Sequence, residues 1–254
     1  EGVFDDLFDN AIGVNNEVGL GGTGIFGYMR PGNNPDAEAI SHAYRVDSNT
    51  CFIVSTIQPG STRFPLQVTI DFGAGCLCRD GRTRKGKIIY TYTGKLTVPG
   101  NSVTASFEGY SVNDISVSGL SKITNTGTTG ARAFTIEVAE AKLARPNGSY
   151  TRWNSIKTIT QIEGGLTPLV AIDDVFSITG ESNGTAKRGD RFFQWSTQVT
   201  DPLVKRFNCF RIVRGTIELR KGNAGVAVLD YGTGVCDNKA TLTVNGSVYE
   251  ITLH

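Results

Sequence analysis

From residue 51 to the end of the chain, apolar and polar residues alternate with a period of two. The clearest runs are 68–72 (VTIDF), 87–92 (KIIYTY), 102–107 (SVTASF), 133–138 (AFTIEV), 191–195 (RFFQW), 210–213 (FRIV), 241–244 (TLTV) and 248–253 (VYEITL). β-branched and aromatic residues dominate them, and the alternation leaves one side polar, as in a strand buried on one face. Between them stand turn-forming segments at 99–101 (PGN), 126–130 (TGTTG), 146–148 (PNG), 187–190 (KRGD), 222–223 (GN) and 245–246 (NG). Asn-Gly and Gly-Asn favour two-residue hairpins, whose twist suits antiparallel strands. The pattern predicts an all-β protein: a long antiparallel meander, or β-sandwich-like sheets. No βαβ spacing points to a parallel sheet. The opening segment is different. Phe4, Leu7, Phe8, Ala11 and Ile12 recur at helical spacing, which predicts a short N-terminal helix over 2–13. Residues 36–44 suit a further helical turn or two.

The chain also partly repeats itself. Residues 51–57 (CFIVSTI) resemble 209–217 (CFRIVRGTI), and 68–75 (VTIDFGAG) resemble 227–234 (AVLDYGTG). Each Asp-aromatic-Gly-x-Gly segment is followed by a Cys and then a polar strand, with the offset held at 158 to 160 residues. A fainter echo links 115–119 (ISVSG) to 176–180 (FSITG). These matches predict two related halves, 1–140 with the helix and 141–254, either as separate domains or as one continuous β domain. The period is far longer than the ~20–50 residues of a solenoid repeat.

Cys51 and Cys78 stand 27 residues apart, and so do Cys209 and Cys236. A hairpin centred on Gly222-Asn223 places Cys209 opposite Cys236, so a disulfide is expected there. A regular ladder makes this the wider, hydrogen-bonded type of pair, which a bulge at Gly232–Gly234 would correct. In the first half Cys51 pairs with Cys78 by analogy, or with Cys76. Such bonds imply an oxidising compartment. The C-x-C at 76–78 has neither a second Cys pair nor a nearby His, so no zinc site is expected.

Composition narrows the function classes. The chain has 254 residues, 39% apolar and 19% charged, with a net charge of +1. That is enough apolar material for a core, which excludes wholesale disorder. Near-neutral charge argues against a dedicated nucleic-acid partner. No run approaches the ~18 apolar residues of a membrane-spanning helix. Plentiful Thr, Ser, Asn and Gly suit a secreted β-rich protein. A start at Glu1 with Met29 as the single methionine is what removal of a signal segment predicts. The two histidines, His42 and His254, leave little for imidazole catalysis or a multi-histidine metal site.

Individual residues carry several candidate chemistries. Asp71 and Asp230 open tight glycine-bulged bends, each carboxylate accepting local backbone N–H bonds. Asp80-Gly81, Asp173-Asp174 and Asp237 lack the ligand spacing of a calcium loop, so no metal or other cofactor is expected. The basic run 79–87 (RDGRTRKGK) offers Arg82, Arg84 and Lys85 to phosphate, sulfated glycan or lipid head groups; the same run suits a solvated hairpin or a charge-protected sheet edge. The tripeptide 188–190 (RGD) falls where a turn is expected. Trp153, Trp195, Tyr110 and Tyr150 can stack on sugars or fill a core. No G-x-S-x-G elbow, P-loop or H-E-x-x-H occurs, and no catalytic residue is assigned. Paired carboxylates such as Asp173, Asp174 and Glu181 are what remains for glycoside hydrolysis.

Several segments together, 70–76 (IDFGAGC), 80–88 (DGRTRKGKI), 92–94 (YTG) with 99–100 (PG), and 230–238 (DYGTGVCDN) through 249–253 (YEITL), resemble a group of uncharacterised Bacteroidetes lipoproteins. The resemblance implies export, a lipid-modified N-terminal Cys in the precursor, and a periplasmic or cell-surface location. It transfers no activity and no site residues. The combined expectation is a non-enzymatic extracytoplasmic β-sheet module that binds a glycan or lipid at a sheet face, with Arg82, Arg84, Lys85, Trp153 and Trp195 as candidate contacts. A carboxylate-dependent glycoside hydrolase and a structural envelope component are the alternatives.

Overall fold

The computed structural model describes residues 52–58, 60–78, 81–128, 130–165, 173–209 and 211–253. Cys51, both expected helical segments, both histidines, and Arg79 and Asp80 of the basic run lie outside the described residues. The rest is a succession of strands: β1 (Ile53–Ile57), β2 (Leu66–Asp71), β3 (Cys76–Leu77), β4 (Thr83–Tyr92), β5 (Ser102–Val112), β6 (Ile115–Asn125), β7 (Ala133–Ala144), β8 (Tyr150–Glu163), β9 (Val175–Arg188), β10 (Arg191–Arg206), β11 (Ile212–Lys221), β12 (Ala224–Thr233), β13 (Lys239–Val244) and β14 (Ser247–Thr252). They form one 14-stranded antiparallel sheet in chain order, with short β3 paired to β4 off the main path. The fold is therefore the expected all-β meander. β7 spans residues 140 and 141, where the two sequence halves meet, with a register shift against β8 between Val138 and Ala141.

The turn chemistry acts as its residues dictate. Asn245-Gly246 takes φ of 50° and 79° between the facing pair Val244 and Ser247, the type I′ geometry that an Asn-Gly pair accommodates. Asn113-Asp114 does the same between Val112 and Ile115 with φ of 47° and 62°. Asp71 Oδ1 accepts the Gly73 N–H at 2.8 Å, and Asp230 Oδ1 accepts the Gly232 N–H at 2.7 Å, so the same carboxylate contact holds the bend in both copies.

Directly opposed residues share a face, so the register traces rows across the sheet. Val68, Tyr90, Ala105, Ser121 and Val138 form one row on what we term the inner face. One residue along, Gln67, Thr91, Thr104, Lys122 and Glu137 form a row on the outer face. The core lies on the inner side of β2–β9, where Val68, Tyr90, Tyr92, Ile88, Val103, Phe134 and Phe176 are fully buried. Removing such a side chain from water contributes about 1.5–3 kcal/mol. Burial thins towards β14, in which every residue but Ile251 is exposed.

Cys209 and Cys236 form the expected disulfide, with Cα atoms 5.9 Å apart. The route to it differs from a regular ladder. Lys221 faces Ala224 across the Gly222-Asn223 turn, but the register shifts next to Lys221 and again between Arg214 and Thr216. The bond joins Cys209, just before β11, to Cys236, just past β12, and so ties the strand ends together outside the ladder. In the first half, pairing of Cys78 by analogy is overturned: Cys76 is the disulfide-bonded residue and Cys78 keeps its thiol. The physical reason is register. Ile57 faces Gln67, which centres that loop on Thr62 rather than on Phe64-Pro65, and β3 carries Cys76 onto β4 opposite Arg84.

A polar platform on the outer face as candidate functional site

Strands β8–β10 are the longest in the sheet, and their alternation separates two chemistries. On β8, Arg152, Asn154 and Ile156 are exposed while Trp153 between them is buried. On β9, Glu181 and Asn183 are exposed around buried Ser182, and on β10 Gln194 and Gln198 are exposed. Pairing arranges these outward residues in rows: Arg152, Thr185 and Gln194; Asn154, Asn183, Ser196 and Arg220; Ile156, Glu181, Gln198 and Glu218. Neighbouring members of a row stand about 4.8 Å apart, and successive rows about 7 Å apart, by strand geometry. A depression of about 150 Å³ lies among Glu181, Asn183, Ser196, Gln198, Glu218 and Arg220.

The polar groups differ in what they still offer. Asn154 Oδ1 accepts the Glu140 N–H at 2.8 Å, which leaves its amide N–H groups as donors. Glu218 and Arg220 are ion-paired on adjacent rows. Beyond the Arg152 row, Tyr150, Lys187 and Phe192 form a further row with an aromatic edge. The Tyr150 and Phe192 rings meet edge to face at 6.4 Å, with Lys142 Nζ 5.1 Å from the first and Lys187 Nζ 5.3 Å from the second.

The residues singled out from sequence fall on both faces. Trp153 is buried at 4% exposure and Trp195 is half-buried against the core; both belong to the inner-face row Ala141, Trp153, Gly184, Trp195. A Cβ on Gly184 would stand 2.8 Å from the Trp153 Cβ and 2.1 Å from the Arg152 carbonyl oxygen, so this position admits the indoles only as glycine. Trp153 thus packs in the core, because its strand parity turns it inward. Tyr110 is likewise buried, its ring 5.7 Å from Phe72 and 5.6 Å from Phe107. Lys85 is exposed on the outer face, in the row that continues through Ser111, Ser116 and Ala144 to Tyr150. Arg84 is half-buried opposite Val112 on the other face, and Arg82 is exposed in the β3–β4 turn, so the three basic residues do not converge. Lys87, from the same run, lies 3.8 Å from Asp71 and 3.9 Å from Glu108. Sequence reasoning missed the platform amides. Their signal was the polar half of an alternation whose apolar half drew the attention.

Of the carboxylates considered for hydrolysis, Asp174 and Glu181 do not form a pair. Asp174 precedes β9 and Glu181 lies seven residues along it, roughly 23 Å away by strand rise, against the ~5–9.5 Å that glycosidic cleavage requires. Asp174 is instead a buried anchor. Gln161 Nε2 donates to its Oδ1 at 2.6 Å, Arg132 Nη1 stands 3.5 Å from its Oδ2, and its carbonyl accepts the Phe207 N–H at 3.0 Å. Burial pushes its carboxyl above the ordinary value, Asp173 adds to the rise, and Arg132 and Gln161 oppose it. A carboxyl raised in the folded state binds its proton more tightly there than in the unfolded chain. Its contribution is therefore fully present below pH 3.8 and declines as pH climbs through the raised value. Urea unfolding between pH 3 and 7 should show this decline in the wild type relative to Asp174→Asn, and parallel pH profiles would refute it.

Among the described residues, no three His, Cys, Asp or Glu side chains gather at a metal-sized site. Comparison with known protein families, with curated proteins and with solved structures finds no match to the chain.

Proposed function

We infer that this protein is a non-enzymatic, extracytoplasmic β-sheet module that binds a glycan across the outer face of β8–β11. The observation that carries this reading is the polar platform itself. Amide, hydroxyl, guanidinium and carboxylate groups stand exposed in successive rows, with an aromatic edge at one end. Sugars present closely spaced hydroxyl groups on a ring with apolar C–H faces. Side-chain donors and acceptors at strand spacing match the hydroxyls, and aromatic rings match the C–H faces. A lipid chain would instead seek a continuous apolar surface, which this face does not present. Export is supported by the Cys209–Cys236 disulfide, and the lipoprotein resemblance adds a lipid-anchored precursor, which palmitate labelling of the full-length protein would test.

A glycan array followed by titration calorimetry tests the binding. The double variant Asn183→Ala/Gln198→Ala removes two exposed side chains and should weaken the captured glycan about tenfold or more, since each lost hydrogen bond costs about 0.5–1.5 kcal/mol. The circular dichroism spectrum should not change. Capture of no glycan, unchanged affinity in the double variant, binding only to phospholipid vesicles, or turnover of the bound glycan would each overturn the proposal.

A further inference from the structure

A second cleft opens on the same outer face, at the opposite end from the aromatic edge. β10 shifts register three times between Val199 and Lys205, and this irregularity leaves a hollow of about 180 Å³. Val175 and Val213 are buried in its wall, and Arg206 and Arg214 are exposed at its mouth. The Cys209–Cys236 disulfide lies within three residues of Arg206 and of Thr233 and Gly234, all three of which line the hollow, so its wall is covalently clamped.

The two guanidinium groups are unequally engaged. Among the described residues, no carboxylate lies within ion-pair distance of Arg206. Arg214 meets Asp201 through Nε at 3.6 Å, which leaves its terminal nitrogens as donors. Glu163 shares the row of Val175 and Arg206 but stands two strands away, about 10 Å between Cα atoms, and it too makes no ion pair among the described residues. Two planar forks beside an apolar wall suit a planar anion, since guanidinium pairs bidentately with carboxylate and keeps its charge in all conditions. With Glu163 and Asp201 nearby, the local balance favours a single negative charge over a dianion.

We propose that this cleft is a carboxylate-binding subsite, so that the glycan on the outer face is an acidic one carrying uronate residues; the glycan part of this statement rests on the function proposed above. Arg206 supplies the principal contact, Arg214 the second, and Glu163 accepts hydrogen bonds from neighbouring sugar hydroxyls. The carboxylate could equally come from a free small acid, and the experiment separates the two sources.

Calorimetric titrations would compare a uronate oligosaccharide, its methyl ester, monomeric galacturonate and inorganic phosphate, using wild type, Arg206→Gln, Arg214→Gln and the Asn183→Ala/Gln198→Ala double variant. The acid should bind at least tenfold more tightly than the ester. Arg206→Gln should abolish that preference without moving the melting temperature, and Arg214→Gln should reduce it. The double variant should weaken acid and ester alike. Equal affinity for acid and ester, a preference that survives Arg206→Gln, or phosphate binding more tightly than galacturonate would each overturn the subsite while leaving glycan binding intact. Galacturonate binding that depends on Arg206, without binding of any oligosaccharide, would uphold the subsite and overturn the glycan platform.

Discussion

Truncation of Phe134 to alanine is expected to remove about 3–5 kcal/mol of folding stability. Phe134 is 1% exposed, and its row crosses the inner face from Asn125 through Ile159 to Ile178. Its ring is in the part of the sheet where burial is deepest, and the backbone of a central strand cannot collapse into the space left behind. The cost is therefore transfer of the ring plus a residual cavity. Equilibrium urea unfolding measures it. Ile156→Ala on the outer face, where the side chain is 44% exposed, is the control and should cost well under half as much. Equal losses at the two positions would mean that the sheet does not bury one face in preference to the other.

Loss of the Cys209–Cys236 bond is expected to cost about 3–4 kcal/mol, from the chain entropy that a closed loop of this length removes from the unfolded state. The Cys209→Ser/Cys236→Ser variant and the wild type should be compared in urea with and without reductant. Strands β11–β14 gain little from burial, so they depend more on this link than β2–β9 would. Cys78→Ser, at a residue outside any disulfide, should leave the unfolding midpoint where it was. A double variant as stable as the wild type would show that the bond contributes nothing to holding the end of the sheet.

Local chemistry accounts for most of the fold that was legible in the sequence. The period of two, the Asn245-Gly246 turn, the hairpin at Gly189 and the twin bends at Asp71 and Asp230 each follow from residues within a few positions of one another. What escaped depends on pairing between distant residues. Trp153 and Trp195 read as core more readily than as ligand contacts, but the pattern left both open, because alternation separates two faces without saying which one is buried. The amides at Asn154, Asn183, Gln194 and Gln198 were visible as the polar half of the same pattern, but only the pairing of β8, β9 and β10 shows that they form one surface. The choice between Cys76 and Cys78 turned on the register of β1 against β2, which spacing alone does not fix. The Arg206 cleft depends on bulges in β10 that a uniform alternation conceals.

Along the main path, each strand packs on the strand that precedes it and the one that follows. Assembly can therefore proceed by adding hairpins to a growing edge, with a short loop to close at each step and a low barrier for an all-β chain. The same connectivity sets the mechanical response. A pull on the end beyond β14 loads the β13–β14 hydrogen bonds one after another rather than all at once, so the sheet should yield as a zipper does, hairpin by hairpin at low force. That sequence would stall where the Cys209–Cys236 cross-link shields the chain between those two residues from tension.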